Sequence, residues 1–100
     1  MYGIIAVMPS FEWDDQKDKF NQEKHGISFV EAKQVFADPY RVVALDTKHC
    51  QEEKRFYCFG KVSSGIITVR FTYRNAVIRI IGAGFWRRGK EIYEKNNQIY

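Results

Sequence analysis

Between Phe71 and Ile81 the chain has little choice but to fold back on itself. The run Phe71-Thr72-Tyr73-Arg74-Asn75-Ala76-Val77-Ile78-Arg79-Ile80-Ile81 places β-branched and aromatic residues on both sides of a polar pair, the pattern of a β-hairpin. With Arg74-Asn75 as a two-residue loop, Tyr73 pairs with Ala76, and Arg70 faces Arg79 across the strands. Like charges directly opposed destabilise a strand pair, so the arrangement calls for a compensating charge. A phosphate-sized anion supplies it, because guanidinium groups bind phosphate bidentately. A carboxylate for each arginine, or snorkelling of each to a sheet edge, would serve as well.

One hundred residues, 45% of them hydrophobic and 16% aromatic, fill one core and one domain. Residues 1–9 read as an N-terminal extension and 10–97 as the domain, with no repeat or low-complexity tract inside it. Cys50 and Cys58 form no CxxC motif, and a chain without an essential disulfide fits a reducing cytoplasm. Ile4 to Val7 is too short for a signal-peptide core, and no run approaches the ~18 apolar residues of a membrane span. A soluble, cytoplasmic protein is expected. Charge divides unevenly, net −2 over residues 1–50 and net +6 over residues 51–100. The basic half suits a polyanion or an acidic protein partner.

Phe11-Glu12-Trp13 reads as a short strand. Asp14 then caps a helix that runs to about His25 and stops at Gly26. Ser28-Phe29-Val30-Glu31 is a capping box, and Phe29, Ala32, Val35 and Phe36 give a second helix a buried stripe before Asp38-Pro39 ends it. Strands are expected at Tyr40–Leu45, Arg55–Val62, Ile66–Tyr73 and Val77–Ala83, and a last helix at about Trp86–Asn96. The order β-α-α-β-β-β-β-α, with short loops between consecutive strands, predicts an α+β fold. Its small antiparallel sheet is packed by helices on one face.

Arg70 and Arg79 stand out for their apolar settings. His25, beside Lys24 at a helix C-terminus, suits a proton carrier, a phosphate contact or a simple capping role. Glu53 and Arg55 flank a strand start where functional groups or a surface ion pair sit. His49 lies in a polar loop without a second ligand pair at metal spacing, so neither a metal nor a cofactor is expected. Arg87, Arg88, Lys90 and Lys95 on the last helix would track a phosphate backbone or solvate a surface. Tyr93 would stack on a base or fill the core. Gly-rich phosphate loops, nucleophile elbows and HExxH are absent from the sequence.

Taken together, Phe11-Glu12-Trp13-Asp14, Lys17, Asn21, Lys24-His25-Gly26-Ile27, Phe29, Glu31-Ala32, Val35-Phe36, Asp38-Pro39, His49, Glu53, Arg55-Phe56, Gly60 and Arg79-Ile80-Ile81 resemble the BrnT toxins of bacterial type II toxin–antitoxin systems. The resemblance runs from about Phe11 to Glu94. It implies a RelE-like ribonuclease toxin fold and a metal-independent endoribonuclease that cleaves RNA and inhibits translation. It also implies a BrnA-like ribbon-helix-helix antitoxin, two copies of each chain in the complex, and operator DNA bound only through the antitoxin. For such an enzyme, Arg79, Arg70, His25, Glu53 and Arg55 become the catalytic candidates. Lys24, His49, Arg87, Arg88 and Tyr93 become RNA contacts. Where the family usually reads R-I-I-S-A-R, this chain has Arg79-Ile80-Ile81-Gly82-Ala83-Gly84. That loss of an arginine at Gly84 opens a second expectation, a weak or inactive family member that serves as an antitoxin-binding co-repressor.

Overall fold

The computed structural model describes residues 9–48 and 52–98; His49, Cys50 and all but Pro9 of the expected extension lie outside them. β1 (Phe11–Glu12) leads into α1 (Asp15–His25). The helix begins because Asp14 Oδ1 accepts from the backbone N–H of Gln16 at 2.8 Å and of Lys17 at 3.1 Å. It ends because Gly26 adopts a left-handed φ of 70°. Ser28 Oγ accepts from Glu31 N–H at 3.0 Å and starts α2 (Phe29–Ala32). The expected long second helix lasts only that one turn before tightening into a 3-10 segment, Lys33–Ala37. Three residues per turn superimpose positions i and i+3, so Ala32 and Val35 both point inward and are fully buried.

The remaining elements are β2 (Val42–Leu45), β3 (Arg55–Val62), β4 (Gly65–Arg74), β5 (Val77–Gly84) and α3 (Arg87–Asn96). They build a five-stranded sheet in the order β1-β5-β4-β3-β2. The sheet is mixed, not purely antiparallel: β1 lies parallel to β5. Everything from α1 to β4 separates these two strands, and a crossover of that length permits a parallel pair.

The hairpin register also differs from expectation. Its loop is Asn75-Ala76, both at positive φ (52° and 64°), the type I′ geometry whose twist matches the flanking strands. Arg74 therefore stays in the ladder opposite Val77, and Arg79 faces Thr72. A bulge between Arg70 and Phe71 then leaves Ile81 unpaired and sets Arg70 opposite Gly82. The two arginines do not face each other. Ala76 tolerates its left-handed backbone at a steric cost, so Ala76→Gly should stabilise the fold by up to about 1 kcal/mol, after allowing for the greater entropy of unfolded glycine. A thermal melt checks this, with a rise of a few degrees expected for a domain of about 100 residues.

One face of the sheet buries Cys58, Val69, Phe71 and Ile80 against Ile27, Phe29, Ala32 and Val35. The 3-10 segment comes so close that a Cβ on Gly60 would lie 2.6 Å from Val35 Cβ. α3 crosses the opposite face, with Gly89 seated on Thr68 Oγ1 and the Phe59 ring. Helices thus cover both faces, where one had been expected.

α3 is tied down by Asp38. Its Oδ2 accepts from Tyr93 Oη and from Lys61 N–H, each at 2.7 Å, and its Oδ1 from Tyr40 N–H at 2.9 Å. Burial alone would raise the Asp38 carboxyl, but these hydrogen bonds outweigh it and hold it below the ordinary value. Burial first, then the bond to Asp38, pushes the Tyr93 phenol up to about 12. The stability from Asp38 is complete above the ordinary carboxylate value and is lost as pH falls through its depressed folded value. That from Tyr93 is complete below the ordinary phenol value and is lost as pH rises through about 12. Urea midpoints across pH should decline on both sides. Tyr93→Phe should flatten the alkaline limb, and an unaltered limb would contradict the pairing.

Candidate functional site

The α3-bearing face of the sheet carries the charge. Residues paired directly across strands share a face, so Glu12, Arg79, Thr72 and Arg55 form one row across β1, β5, β4 and β3. In the next row Arg70 stands between Gly82 and Tyr57, and in the one after that Thr68 stands between Gly84 and Phe59. Arg70 and Arg79 are diagonal neighbours on this face, and the structure brings Arg55 alongside them.

Each of three arginines already has an acid. Arg79 Nη1 lies 2.8 Å from Glu12 Oε2, Arg70 Nη2 lies 3.8 Å from Asp46 Oδ2, and Arg74 reaches both carboxylate oxygens of Glu53 at 3.2 and 3.3 Å. Of the two arrangements the sequence allowed, an anion pocket or a carboxylate for each arginine, the structure has the second, and these acids are what allow like charges to gather. The Arg79 and Arg70 pairs each engage one terminal nitrogen, while a guanidinium carries five N–H donors. The Arg70 Nε is buried without a hydrogen-bond partner.

Glu53, one of the catalytic candidates and a possible base, is held by Arg74, whose hydrogen bond is the main cause of its lowered pKa. A carboxylate so engaged is a poor proton acceptor, and its evident task is to hold Arg74. Tyr93, for which the sequence left base stacking or core packing, is 2% exposed and gives its hydroxyl to Asp38. It belongs to the core.

His25 ends α1, half-buried, with its ring centroid 5.2 Å from that of Trp86 in an edge-on contact. Trp86 leans over Gly84, so that a Cβ there would meet the indole at 2.6 Å. His25 therefore stands behind Trp86 at the Gly84 end of the charged face. Lys24 is exposed, its ammonium 5.7 Å over the Phe20 ring. Arg87 and Arg88 open α3 on the surface, Arg88 at 3.8 Å from Glu91. The first turn of α3 holds no acid, and its N-cap Trp86 makes no side-chain cap bond, so positive charge concentrates at this helix end.

A groove of about 450 Å³ runs beside these residues, with Asp46, Tyr57, Phe59, Thr68, Trp86 and Arg88 among its walls. Sequence reasoning singled out neither this groove nor Glu12 and Asp46 as partners. Alternation along Arg55, Tyr57 and Phe59 was the available signal, since it sets two aromatic rings on the face that carries Arg55. Among the described residues no group of three or more His, Cys, Asp or Glu is placed to hold a metal ion, and no helix is long and apolar enough to cross a membrane.

The family model for the ribonuclease toxin BrnT of type II toxin–antitoxin systems matches residues 13–89. That span holds α1, α2, β2 to β5, all three paired arginines and every wall of the groove but Ile92. A search of the curated proteins finds no match to the chain.

Proposed function

The chain belongs to the BrnT family of type II toxin–antitoxin ribonuclease toxins, and from that premise we propose that it cleaves RNA on the arginine face of its sheet. The observation that carries this reading is the gathering of Arg55, Arg70 and Arg79 on one face, next to an aromatic-lined groove. In the proposed reaction the ribose 2′-oxygen attacks the adjacent phosphorus while the bond to the 5′-oxygen breaks, leaving a 2′,3′-cyclic phosphate. A base takes the 2′-hydroxyl proton and an acid protonates the departing oxygen. Arg79 and Arg70 stabilise the charge that builds on the phosphorane, and Arg55 supports them. His25 is the candidate proton carrier, with His49 as the alternative, and Lys24, Arg87 and Arg88 guide the strand. The phosphate enters by exchanging with Glu12 and Asp46, which hold the guanidinium groups in place beforehand.

The biological role proposed is arrest of translation, relieved by a BrnA-like ribbon-helix-helix antitoxin in a complex with two copies of each chain. Operator DNA is contacted through the antitoxin. Expressed alone, the protein should halt growth, and the purified chain should degrade RNA in the presence of EDTA. Intact RNA after prolonged incubation, with unaffected growth, would refute the reading. The second reading, a co-repressor without turnover, draws on the acid paired with each of Arg70, Arg74 and Arg79. It also draws on Gly84, where the family usually carries arginine and where the Trp86 indole now fills the space. The same two experiments separate it from the first.

A further inference from the structure

We infer that β2 is a docking edge, to which the antitoxin adds an extended segment of alternating apolar and acidic residues as the sixth strand of the sheet. The inference rests on the antitoxin partner that both readings above require, and not on whether the chain turns over RNA. β2 ends the sheet, and among the described residues no strand lies beyond it. Asp46 N–H donates to Arg55 O at 2.8 Å. Antiparallel strands exchange such bonds at every second pair. Ala44 and Val42 therefore also bond inward, to Tyr57 and Phe59, while Val43 and Leu45 turn their N–H and C=O groups outward. Their side chains are uncovered as well. Paired with Cys58 and Phe56, they lie on the face that carries the main core. The 3-10 segment seats on Gly60 of β3, however, and leaves them 51% and 47% exposed. Tyr73, on the same face with its ring 5.5 Å from that of Phe56, is 53% exposed and extends the apolar shelf.

Edge strands are ordinarily blunted by extreme shortness, a charge, a proline or a bulge. At the other end of the sheet β1 has only two residues. β2 reads Val42-Val43-Ala44-Leu45 and carries no such device. Charge selects its occupant. Arg41 before the strand and Lys48 after it are exposed, whereas Asp46, the one acid between Pro39 and Lys48, is buried and turned to Arg70. A second copy of this chain would repeat those cations. Pairing Val43 with Leu45 of the other copy would set Arg41 opposite Thr47 and beside Lys48, in a chain of net charge +4. An acidic segment meets the same cations with opposite charge. Its backbone completes the outward hydrogen bonds, and its alternate apolar side chains lie beside Val43 and Leu45.

The test measures amide exchange in the chain alone and in complex with the antitoxin of its operon. The Val43 and Leu45 amides should exchange quickly in the free chain and slow by about tenfold or more in the complex. Val42 and Ala44, already bonded to β3, should change less. Val43→Pro removes one outward donor and spares the inward ladder, a substitution that an edge strand tolerates. Leu45→Glu keeps the backbone and sets like charge against the acidic segment, so it carries the test where proline disturbs the strand. Each variant should keep the parent urea midpoint and bind the antitoxin about tenfold more weakly. Growth arrest by either should persist and no longer be relieved. Lys48→Glu should weaken binding several-fold, and parent affinity in that variant would overturn the acidic character of the segment. Unchanged exchange in the complex, or parent affinity in both β2 variants, would overturn the docking edge. Protection of both amides that rises with concentration of the chain alone would assign the edge to a second copy and overturn the proposal equally. A parent chain that neither halts growth nor cleaves RNA would sink the ribonuclease reading, while exchange and binding would still judge the edge.

Discussion

Arg79→Ala should cleave RNA about 100-fold more slowly than the parent protein while remaining folded, because one missing donor at a developing oxyanion typically costs that much. The position makes the experiment clean. Arg79 and Glu12 are 26% and 41% exposed, and an ion pair so open to solvent contributes at most about 1 kcal/mol to stability. The loss at the transition state, roughly 2.7 kcal/mol or more, is therefore well separated from any loss of fold. Arg70→Ala is less easily read, because it strips a cation from beside Asp46, which is only 3% exposed, and so mixes rate with stability. Two further variants sharpen the assignment. Arg79→Lys keeps the charge but not the bidentate fork, and should fall between parent and alanine. Glu12→Gln removes the internal competitor of the phosphate, and should cleave at least as fast as the parent with a steeper salt dependence. Initial rates and urea midpoints measured on the same preparations decide the matter. An Arg79→Ala protein that cleaves at the parent rate would remove this arginine from the mechanism.

The features legible in the sequence were those written locally. Asp14 and Gly26 bracket α1 because a cap and a left-handed terminus each need one residue of the right kind within a few positions of the helix end. The strands from β3 to β5 were legible from their alternation and their turns. The register of the last hairpin was not, since Arg74-Asn75 is the more polar pair and reads as the loop, whereas the structure uses Asn75-Ala76. Only the demand for two residues at positive φ chooses between them, and Ala76 is an unlikely residue to meet it. Pairing across distance was equally hidden. Glu12 and Arg79 are 67 residues apart, and a two-residue strand gives no hint that it will add to the far edge of the sheet in parallel. Tyr93 shows the remaining blind spot. An aromatic on an amphipathic helix has the same spacing whether it meets solvent or the core, and the buried Asp38 that claims its hydroxyl lies 55 residues away.

Asn21→Leu should destabilise the protein by roughly 3–6 kcal/mol, a large part of the ~5–15 kcal/mol that holds a domain of this size together. The reason lies at the edge of β5. β1 pairs only with Ile78 and Arg79, so further along the strand Ala83 has no strand neighbour on that side. Asn21, 6% exposed on α1, takes the place of one. Its Nδ2 donates to Ala83 O at 3.0 Å, and its Oδ1 accepts from Ala83 N–H at 3.1 Å, as a peptide group of an adjoining strand would. The same Nδ2 donates to Ile27 O at 2.9 Å and secures the turn after the helix. Leucine preserves volume and helix propensity but leaves three backbone groups without partners. Ala83 and Ile27 are both 0% exposed, so water does not replace what is lost, and each buried orphan costs about 1–3 kcal/mol. Asn21→Asp should fare as badly, because it keeps the acceptor for Ala83 N–H while turning a carboxylate oxygen toward two carbonyls. Urea denaturation measures the loss, and amide exchange at Ala83 localises it, with protection collapsing there first. A midpoint within about 1 kcal/mol of the parent would mean that β5 and α1 hold together without the carboxamide. Because Gly82 and Gly84 flank Ala83 beneath Asn21 and Trp86 respectively, frayed β5 would also disturb the groove wall, so RNA binding should weaken in Asn21→Leu even where the chain stays folded.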